Sequence, residues 1–207
     1  KKIFLDLLQT YDILVEGFRP GTMEKLDLGY DTISACNPRL IQVSITGYGH
    51  EGAYRLRAGH DINYLSLAGI ISMTGTKKGE LAIPAIQIAD LAGGSLLALV
   101  GLLAAVIQRE KTGRGQFVDT AMFDGSLSMA TMVFAGVEAG LEKPKPGQMM
   151  LTGRFPCYGL YETKDGKYMS LGALEYKFWK NFCAAVNRPD LMGSQFGGEE
   201  TIQEVKK

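Results

Sequence analysis

The residues best suited to acid–base chemistry lie in a short run at positions 58–64, which contains His60, one of only two histidines in the chain. An imidazole can take up or release a proton near neutral pH. Asp61 follows it, and a carboxylate favours the first turn of a helix. The run therefore predicts that His60 lies at the start of a helix, next to Gly59, whose backbone can turn sharply or approach a ligand. A histidine that only packs and caps is the alternative.

A second acid–base candidate is Asp90, which precedes a long apolar stretch that reaches Ile107. Residues 88–107 are long enough to raise the question of a membrane span. Asp90 and the glycines at 93, 94 and 101 favour a closely packed, buried helix instead. Asp90 is then either a reacting carboxylate with room beside it at the glycines, or an acid that merely stabilises the helix start by about 0.3 kcal/mol or slightly more.

Two predicted strands would carry these candidates toward a common site. Residues 11–16 and 40–45 are β-prone, and each is followed by a glycine-rich loop, at 17–21 and 47–52. Ligands of open α/β sheets bind beyond the carboxyl ends of the strands, so we expect both loops to line one crevice. Arg19 in the first loop could hold a phosphate group, although a solvated arginine is the more common case. Pro20 is predicted at the first position of a short helix.

The composition excludes some functional classes. Acidic and basic residues number 22 each, so net charge does not favour nucleic acid or an anionic membrane as a partner. The three cysteines, at 36, 157 and 183, form neither a metal-ligand spacing nor a redox pair. We therefore expect packed thiols in a reducing compartment and no metal site.

The chain is predicted to contain two domains. Residues 1–142 alternate strands and helices, which indicates an α/β domain with long connecting helices, the last from Met122 to about Gly140, whose Met122, Met129 and Met132 are interpreted as core residues. Two prolines, at 144 and 146, mark the boundary. Residues 143–207 then predict a hairpin around 164–166 and a helix at 175–186, the start of a small α+β domain. Both termini have the pattern of interrupted helices, so we expect a fragment of a longer protein.

Three segments, at 15–21, 59–64 and 109–116 with Asp119, together resemble the family III CoA-transferases, also called the CaiB/BaiF family. Within that family, the run at 59–64 is most similar to the racemases of α-methylacyl-CoA thioesters. The resemblance implies a Rossmann-like large domain, incomplete here, with a small α+β domain and an interlocked homodimer. It also implies a cytoplasmic location in a bacterium, or a peroxisomal or mitochondrial one in a eukaryote.

The resemblance also implies roles for individual residues. His60 and Asp90 match the two catalytic bases, and Glu175 matches the carboxylate that pairs with the histidine. The positions that match CoA contacts are Gly17, Phe18, Arg19, Lys25, Gly59, His60, Asp61, Ile62, Asn63 and Tyr64. Lys25 stands where a relative in this family has arginine, and this change keeps the charge but loses the bidentate fork.

These residue types suit removal and return of the α-proton of a 2-methylacyl-CoA, one group on each face of the carbon. Backbone N–H groups at the helix start beside Asp90 are candidates for stabilising the enolate oxygen. No separate cofactor is implied, since CoA is part of the substrate, and the acyl tail is expected near apolar residues of the 122–150 region. Two alternatives stay open. One is a CoA-transferase in which Asp90 is a nucleophile, and the other is an acyl-CoA-binding protein without catalysis.

Overall fold

A computed structural model describes all residues, 1–207, and divides them into two compact units. The first unit comprises Lys1–Ile71 and Ile83–Met132, and the second unit comprises Ser72–Ala82 and Val133–Lys207. This division differs from the predicted boundary after residue 142. The two prolines mark a turn inside the second unit, whereas the crossing between the units falls earlier, within a helical region.

The first unit is built on a parallel sheet of three strands, β1 (Ile13–Glu16), β2 (Ile41–Thr46) and β3 (Phe117–Ala121), in the order β1-β2-β3. Three helices precede or connect β1 and β2: α1 (Lys2–Leu8), α2 (Thr22–Lys25) and α3 (Tyr30–Cys36). The predicted α/β architecture is confirmed. Pro20 does not begin α2 as predicted. Gly21 takes the position before the helix with φ of 85°, a left-handed conformation that favours glycine.

Two short helices, α4 (Asp61–Leu67) and α5 (Ile70–Met73), follow β2, and a long helical stretch then leads back to the sheet. That stretch begins with a π-helical segment (Ala89–Leu96) and continues as α6 (Leu97–Thr112). Gly113 ends it in the left-handed conformation, with φ of 73°. After α5 the chain turns, and an isolated bridge joins Gly75 to Leu81.

The helix from 89 to 112 is not buried within this chain, contrary to the prediction. Only a narrow stripe that includes Ala98 and Ala105 packs on Ile41 and Val43 of the sheet. The opposite side is apolar but open, and its large side chains are 53–61% exposed at Leu91, Leu96, Val100, Leu103 and Ile107. By length and composition alone, this helix meets the requirement for a membrane span. Core helices of soluble proteins meet it as well.

The family motif at 109–116 has a structural role in the first unit. Arg109 is 8% exposed, and its guanidinium lies 3.0 Å from the Asp12 carboxylate, which ties the end of α6 to the start of β1. A Cβ on Gly115 would lie against the Leu40 carbonyl group. Both features fix how the long helix returns to the sheet.

The single helix predicted at 122–140 is two helices, α7 (Met122–Met129) and α8 (Thr131–Glu138). They are separated at Ala130, whose ψ of 4° leaves the helical range. Met129 and Met132 are 43% and 68% exposed, so the prediction that they fill the core is wrong for this chain. An apolar side chain alone does not show whether a neighbour covers it.

The second unit contains the predicted hairpin, β4 (Tyr158–Glu162) and β5 (Tyr168–Gly172), which pair antiparallel around a turn with Gly166 at φ of 76°. Helices α9 (Tyr176–Ala185) and α10 (Glu199–Val205) follow, with short 3-10 turns at Met150–Thr152 and Pro189–Ser194. Trp179 is fully buried in its core, and its indole N–H donates to the Leu191 carbonyl at 3.0 Å. Cys157 and Cys183 pack there as free thiols.

Close packing between α7 and the π-helical segment predicts that Gly125→Ala destabilises the protein. A Cβ at position 125 would lie 2.0 Å from the Gly93 carbonyl oxygen, so the two helices must separate. We expect a loss of about 1–3 kcal/mol in the free energy of unfolding, measured by urea denaturation.

Gly193→Ala is the matched control for this substitution, because nothing lies within 4 Å of a Cβ there. It should change the free energy of unfolding by less than about 0.5 kcal/mol. Equal stability of the two variants would contradict the close helix packing.

Candidate active site

A pocket of about 400 Å³ lies at the carboxyl ends of β1 and β2. Its lining includes residues 17–20 of the first glycine-rich loop and residues 45–48 at the start of the second. The structure therefore brings the two loops together, as the order of the strands predicts. The remaining wall comes from Arg55, from residues 57–60, from α4 and from Met122.

His60 lines this pocket at the start of α4, in the predicted position. Its backbone is extended, and its N–H donates to Asn63 Oδ1 at 3.0 Å, while the Asn63 N–H donates to the His60 carbonyl at 2.8 Å. The backbone of His60 thus closes the first turn of the helix. Its side chain is exposed at the pocket wall, where a substrate can reach it.

Tyr64 fixes the backbone that leads into His60. A Cβ on either Gly47 or Gly59 would come within 2.7 Å of the Tyr64 ring, so only glycine allows this ring between the two loops. The Tyr64 hydroxyl donates to the Gly59 carbonyl at 2.7 Å, and the Tyr48 ring meets it edge-on with centroids 5.2 Å apart. The sequence suggested a sharp turn or a ligand approach for Gly59, and the structure shows the reason to be packing of Tyr64.

Asp61 connects the His60 helix to the helix that carries Asp90. Its Oδ1 accepts the N–H of Ala89 at 2.6 Å and the N–H of Asp90 at 3.1 Å. These were the N–H groups expected to stabilise an enolate oxygen. The Asp61 carboxylate already occupies them, so the prediction that they serve the enolate is wrong.

The environment of Asp90 favours its protonated form. Burial is the largest cause that raises the pKa of its carboxyl, and the negative charge of Asp61 adds to it. His60 acts in the opposite direction and lowers the pKa of Asp90. The two predicted bases therefore lie close enough to interact electrostatically, on neighbouring elements of one unit.

The glycines beside Asp90 serve helix packing. A Cβ on Gly93 would lie 2.7 Å from the Met122 carbonyl oxygen, and one on Gly94 would lie 2.9 Å from the Met122 side chain. They leave no room for a ligand, contrary to one of the two interpretations of the sequence. The π-helical form of this segment is unusual, and such segments occur often at functional sites.

The other predicted residues divide into two groups. Gly17, Phe18 and Arg19 line the pocket, as predicted, and Glu16 Oε2 holds the Phe18 N–H at 2.8 Å. Lys25 and Ile62, with Asp61, are outside the pocket wall. Lys25 lies at the end of α2. Ile62 is 38% exposed, because its position on α4 directs it away from the core.

Glu175 belongs to the second unit, where it is exposed and precedes the first turn of α9. Its predicted pairing with His60 stays a prediction. No group of three or more His, Cys, Asp and Glu side chains has the arrangement of a metal site.

Two arginines between the second glycine-rich loop and His60 were missed in the sequence. Arg55 and Arg57 line the pocket, and the Arg57 guanidinium lies 4.1 Å above the Tyr54 ring. The signal was visible as two arginines, two positions apart, in the loop that leads to His60, but it belonged to no motif.

His50, the second histidine, anchors this loop to the sheet. Its Nε2 lies 2.8 Å from Ser44 Oγ on β2, and its backbone N–H donates to Asp119 Oδ2 on β3 at 2.8 Å. Ser44 is fully buried, so a substrate cannot reach it as a nucleophile.

Comparison with known proteins identifies the family of this chain. The model of CoA-transferase family III matches residues 1–207. The alpha-methylacyl-CoA racemase of Mus musculus is 40% identical over 81% of this chain and 44% of its own length. The succinyl-CoA–L-malate CoA-transferase beta subunit of Chloroflexus aurantiacus is 34% identical over 98% of this chain and 50% of its own length. Racemases and transferases are thus both close relatives.

Solved structures show the same fold. A CAIB/BAIF family protein from Brucella suis superimposes with a TM-score of 0.77 at 26% identity, over 97% of this chain and 52% of that protein. A hypothetical protein from Mycobacterium tuberculosis gives 0.77 at 30% identity, over 99% and 56%. The chain spans about half the length of the relatives that it matches.

The contact between Asp61 and the Asp90 backbone yields a prediction about protonation. In Asp61→Asn, the amide oxygen can still accept the two N–H groups, but the negative charge is gone. Because that charge raises the pKa of Asp90, the substitution should lower it, and any activity that requires ionised Asp90 should extend to lower pH. Carboxyl ¹³C NMR titration of Asp90 measures this shift.

Asp31→Asn removes an exposed carboxylate in α3 and serves as the control, with no expected change in the Asp90 titration. An unchanged or higher pKa of Asp90 in Asp61→Asn would contradict the electrostatic role given to Asp61.

Proposed function

Because the chain belongs to CoA-transferase family III, we propose that it forms part of an enzyme that interconverts the (2R) and (2S) forms of 2-methylacyl-CoA thioesters. The observation that carries the proposal is the link between His60, in the pocket wall, and Asp90: Asp61, the residue after His60, accepts the Asp90 backbone N–H at 3.1 Å. A two-base racemisation needs two acid–base groups that are held near each other in this way.

The reaction would begin with transfer of the substrate α-proton to one of the two groups. The electron pair of the C–H bond moves into the thioester carbonyl and forms an enolate. The other group, which starts protonated, returns a proton to the opposite face of the α-carbon. A carboxyl group with a raised pKa suits this use, because general catalysts work best when their pKa lies near the working pH.

A CoA-transferase is the second candidate function. In it, the Asp90 carboxylate would attack the thioester carbonyl, expel CoA as the thiolate and form a mixed anhydride. The CoA thiolate would attack the Asp90 carbonyl of this anhydride and release the first acid as a carboxylate. The acceptor carboxylate would then displace CoA from Asp90 to form a second anhydride, whose acceptor carbonyl the thiolate attacks, which gives the new acyl-CoA and regenerates Asp90. Relatives with transferase names cover almost the whole chain at 34% identity. His60 favours the racemase, because a carboxylate nucleophile does not require a histidine beside it. A binding protein without catalysis would require neither residue.

The rest of the proposal concerns Glu175, a partner chain and the CoA group. Glu175 would orient the His60 imidazole by hydrogen bonding, as carboxylates do for histidines in other sites. The open apolar side of the helix from 89 to 112 supports a homodimer, in which a partner chain covers it. CoA would act as part of the substrate, and no separate cofactor is needed.

Hydrogen exchange at the substrate α-carbon tests this proposal. The full-length protein is incubated in deuterated water with one pure epimer of a 2-methylacyl-CoA and no acceptor acid. We expect deuterium at the α-carbon together with formation of the other epimer, followed by mass spectrometry and chiral chromatography. His60→Ala and Asp90→Asn should each lower the rate of epimerisation by about 10²- to 10⁴-fold.

Asp31→Asn is again the matched control and should keep the wild-type rate. Transfer of CoA to an added carboxylic acid, with no deuterium incorporation in its absence, would contradict the racemase and identify Asp90 as a nucleophile. If neither deuterium exchange nor CoA transfer occurs, the result favours a binding protein without catalysis.

A further inference from the structure

Three arginines line the pocket beside His60, at positions 19, 55 and 57, and no Asp or Glu side chain lines it. None of these three arginines forms an ion pair with any residue from 1 to 207. The pocket wall therefore carries three positive charges that no carboxylate of the protein neutralises.

Three arginines elsewhere in this chain, Arg39, Arg109 and Arg188, pair with carboxylates, whereas Arg114 and Arg154 do not. Arg109 lies 3.0 Å from the Asp12 carboxylate, and Arg188 lies 2.8 Å from Asp190 and 3.3 Å from Glu204. These arginines join segments of the fold. The three pocket arginines join no segments in this way, so their charges are available to a ligand.

Arg57 is held only by an interaction that a phosphate can replace. Its guanidinium lies 4.1 Å above the exposed face of Tyr54. A cation–π contact at an exposed site is weaker than a pair of charge-assisted hydrogen bonds from a guanidinium to a phosphate. An anion in the pocket would therefore draw Arg57 from the tyrosine.

We propose that Arg55 and Arg57 act with Arg19 as a clamp for the phosphate groups of CoA and determine specificity for CoA over ligands that lack its nucleotide. CoA carries a pyrophosphate and a 3′-phosphate, which offers several separated charges to three guanidinium groups. The proposal rests on the proposed use of acyl-CoA as substrate. It adds two residues outside every motif that the sequence presented.

The loop that carries Arg55 and Arg57 is fixed at its base and weakly held at its tip. At the base, Thr46 Oγ1 accepts the Gly49 N–H at 2.9 Å, and Asp119 and Ser44 hold His50. At the tip, short turns bring the Arg55 N–H to the Gly52 carbonyl at 3.4 Å and the Arg57 N–H to the Tyr54 carbonyl at 2.8 Å. A phosphate bound by Arg55 and Arg57 would restrain this tip.

His60 follows Arg57 by three residues, so restraint of the loop tip also restrains the backbone that places the imidazole. Binding energy from a remote part of a substrate can serve orientation at the reacting carbon in this way. The nucleotide of CoA would thus contribute to catalysis as well as to affinity.

Binding of CoA and of pantetheine, which lacks the phosphates and the nucleotide, tests the clamp in the full-length protein. Isothermal titration with CoA should show about 10- to 100-fold weaker binding for Arg55→Ala and for Arg57→Ala. Arg57→Lys should recover part of the loss, because it keeps the charge without the fork. Pantetheine binding, followed by ligand-observed NMR, should be the same in wild type and variants.

Arg39→Ala is the matched control. Arg39 lies before β2, at the opposite end of the strand from the pocket, and pairs at the surface with Glu110 at 3.6 Å. It should leave CoA binding unchanged. CoA affinity within about twofold of wild type in both alanine variants, or equal weakening for pantetheine, would overturn the clamp.

These measurements do not involve the α-proton, which separates the clamp from the racemase proposal. CoA binding that depends on Arg55 and Arg57, without deuterium exchange into a 2-methylacyl-CoA, would support the clamp and refute the racemase. Deuterium exchange together with unchanged CoA binding in the Arg55 and Arg57 variants would support the racemase and refute the clamp. Failure of the wild-type protein to bind CoA would overturn the clamp.

Discussion

The Asp61 carboxylate is the contact on which the candidate active site depends. It accepts the N–H groups of Ala89 and Asp90 and so satisfies donors that a helix start leaves without partners. His60 immediately precedes Asp61 in the chain, and one of the two N–H groups that Asp61 accepts belongs to Asp90 itself. A single carboxylate thereby fixes the spacing of both proposed bases. It also places a second negative charge near Asp90, which raises the pKa of that acid.

The surrounding structure supports this contact by close packing. Gly93 and Gly125 allow the π-helical segment and α7 to approach backbone to backbone, and Gly47 and Gly59 hold the ring of Tyr64 between two loops. A methyl group added at any of these four glycines would force the neighbouring elements apart. The parallel sheet then places both glycine-rich loops at one edge. The positions of the proposed bases are therefore a consequence of packing between elements that are far apart in the chain.

The sequence predicted the parts of this structure that depend on local patterns. β-Prone runs followed by glycines located β1, β2 and the pocket. The pattern at 58–64 correctly placed His60 at the start of a helix. The role of Asp61 could not be predicted, because a first-turn acid normally serves its own helix, whereas this one bonds to a segment 28 residues away. Apolar periodicity likewise did not show that the helix from 89 to 112 lacks a cover within this chain. The family resemblance placed Lys25 at a CoA contact, and the structure places it at the end of α2, outside the pocket wall.

The central claim is that His60 and Asp90 act on opposite faces of one α-carbon. The most direct measurement is deuterium incorporation from each pure epimer of a 2-methylacyl-CoA, taken separately, in the full-length His60→Ala protein. The epimer whose α-proton faces Asp90 should still exchange without inversion, while the other epimer should not exchange. Equal loss of exchange from both epimers, or equal retention in both, would contradict a separate base on each face.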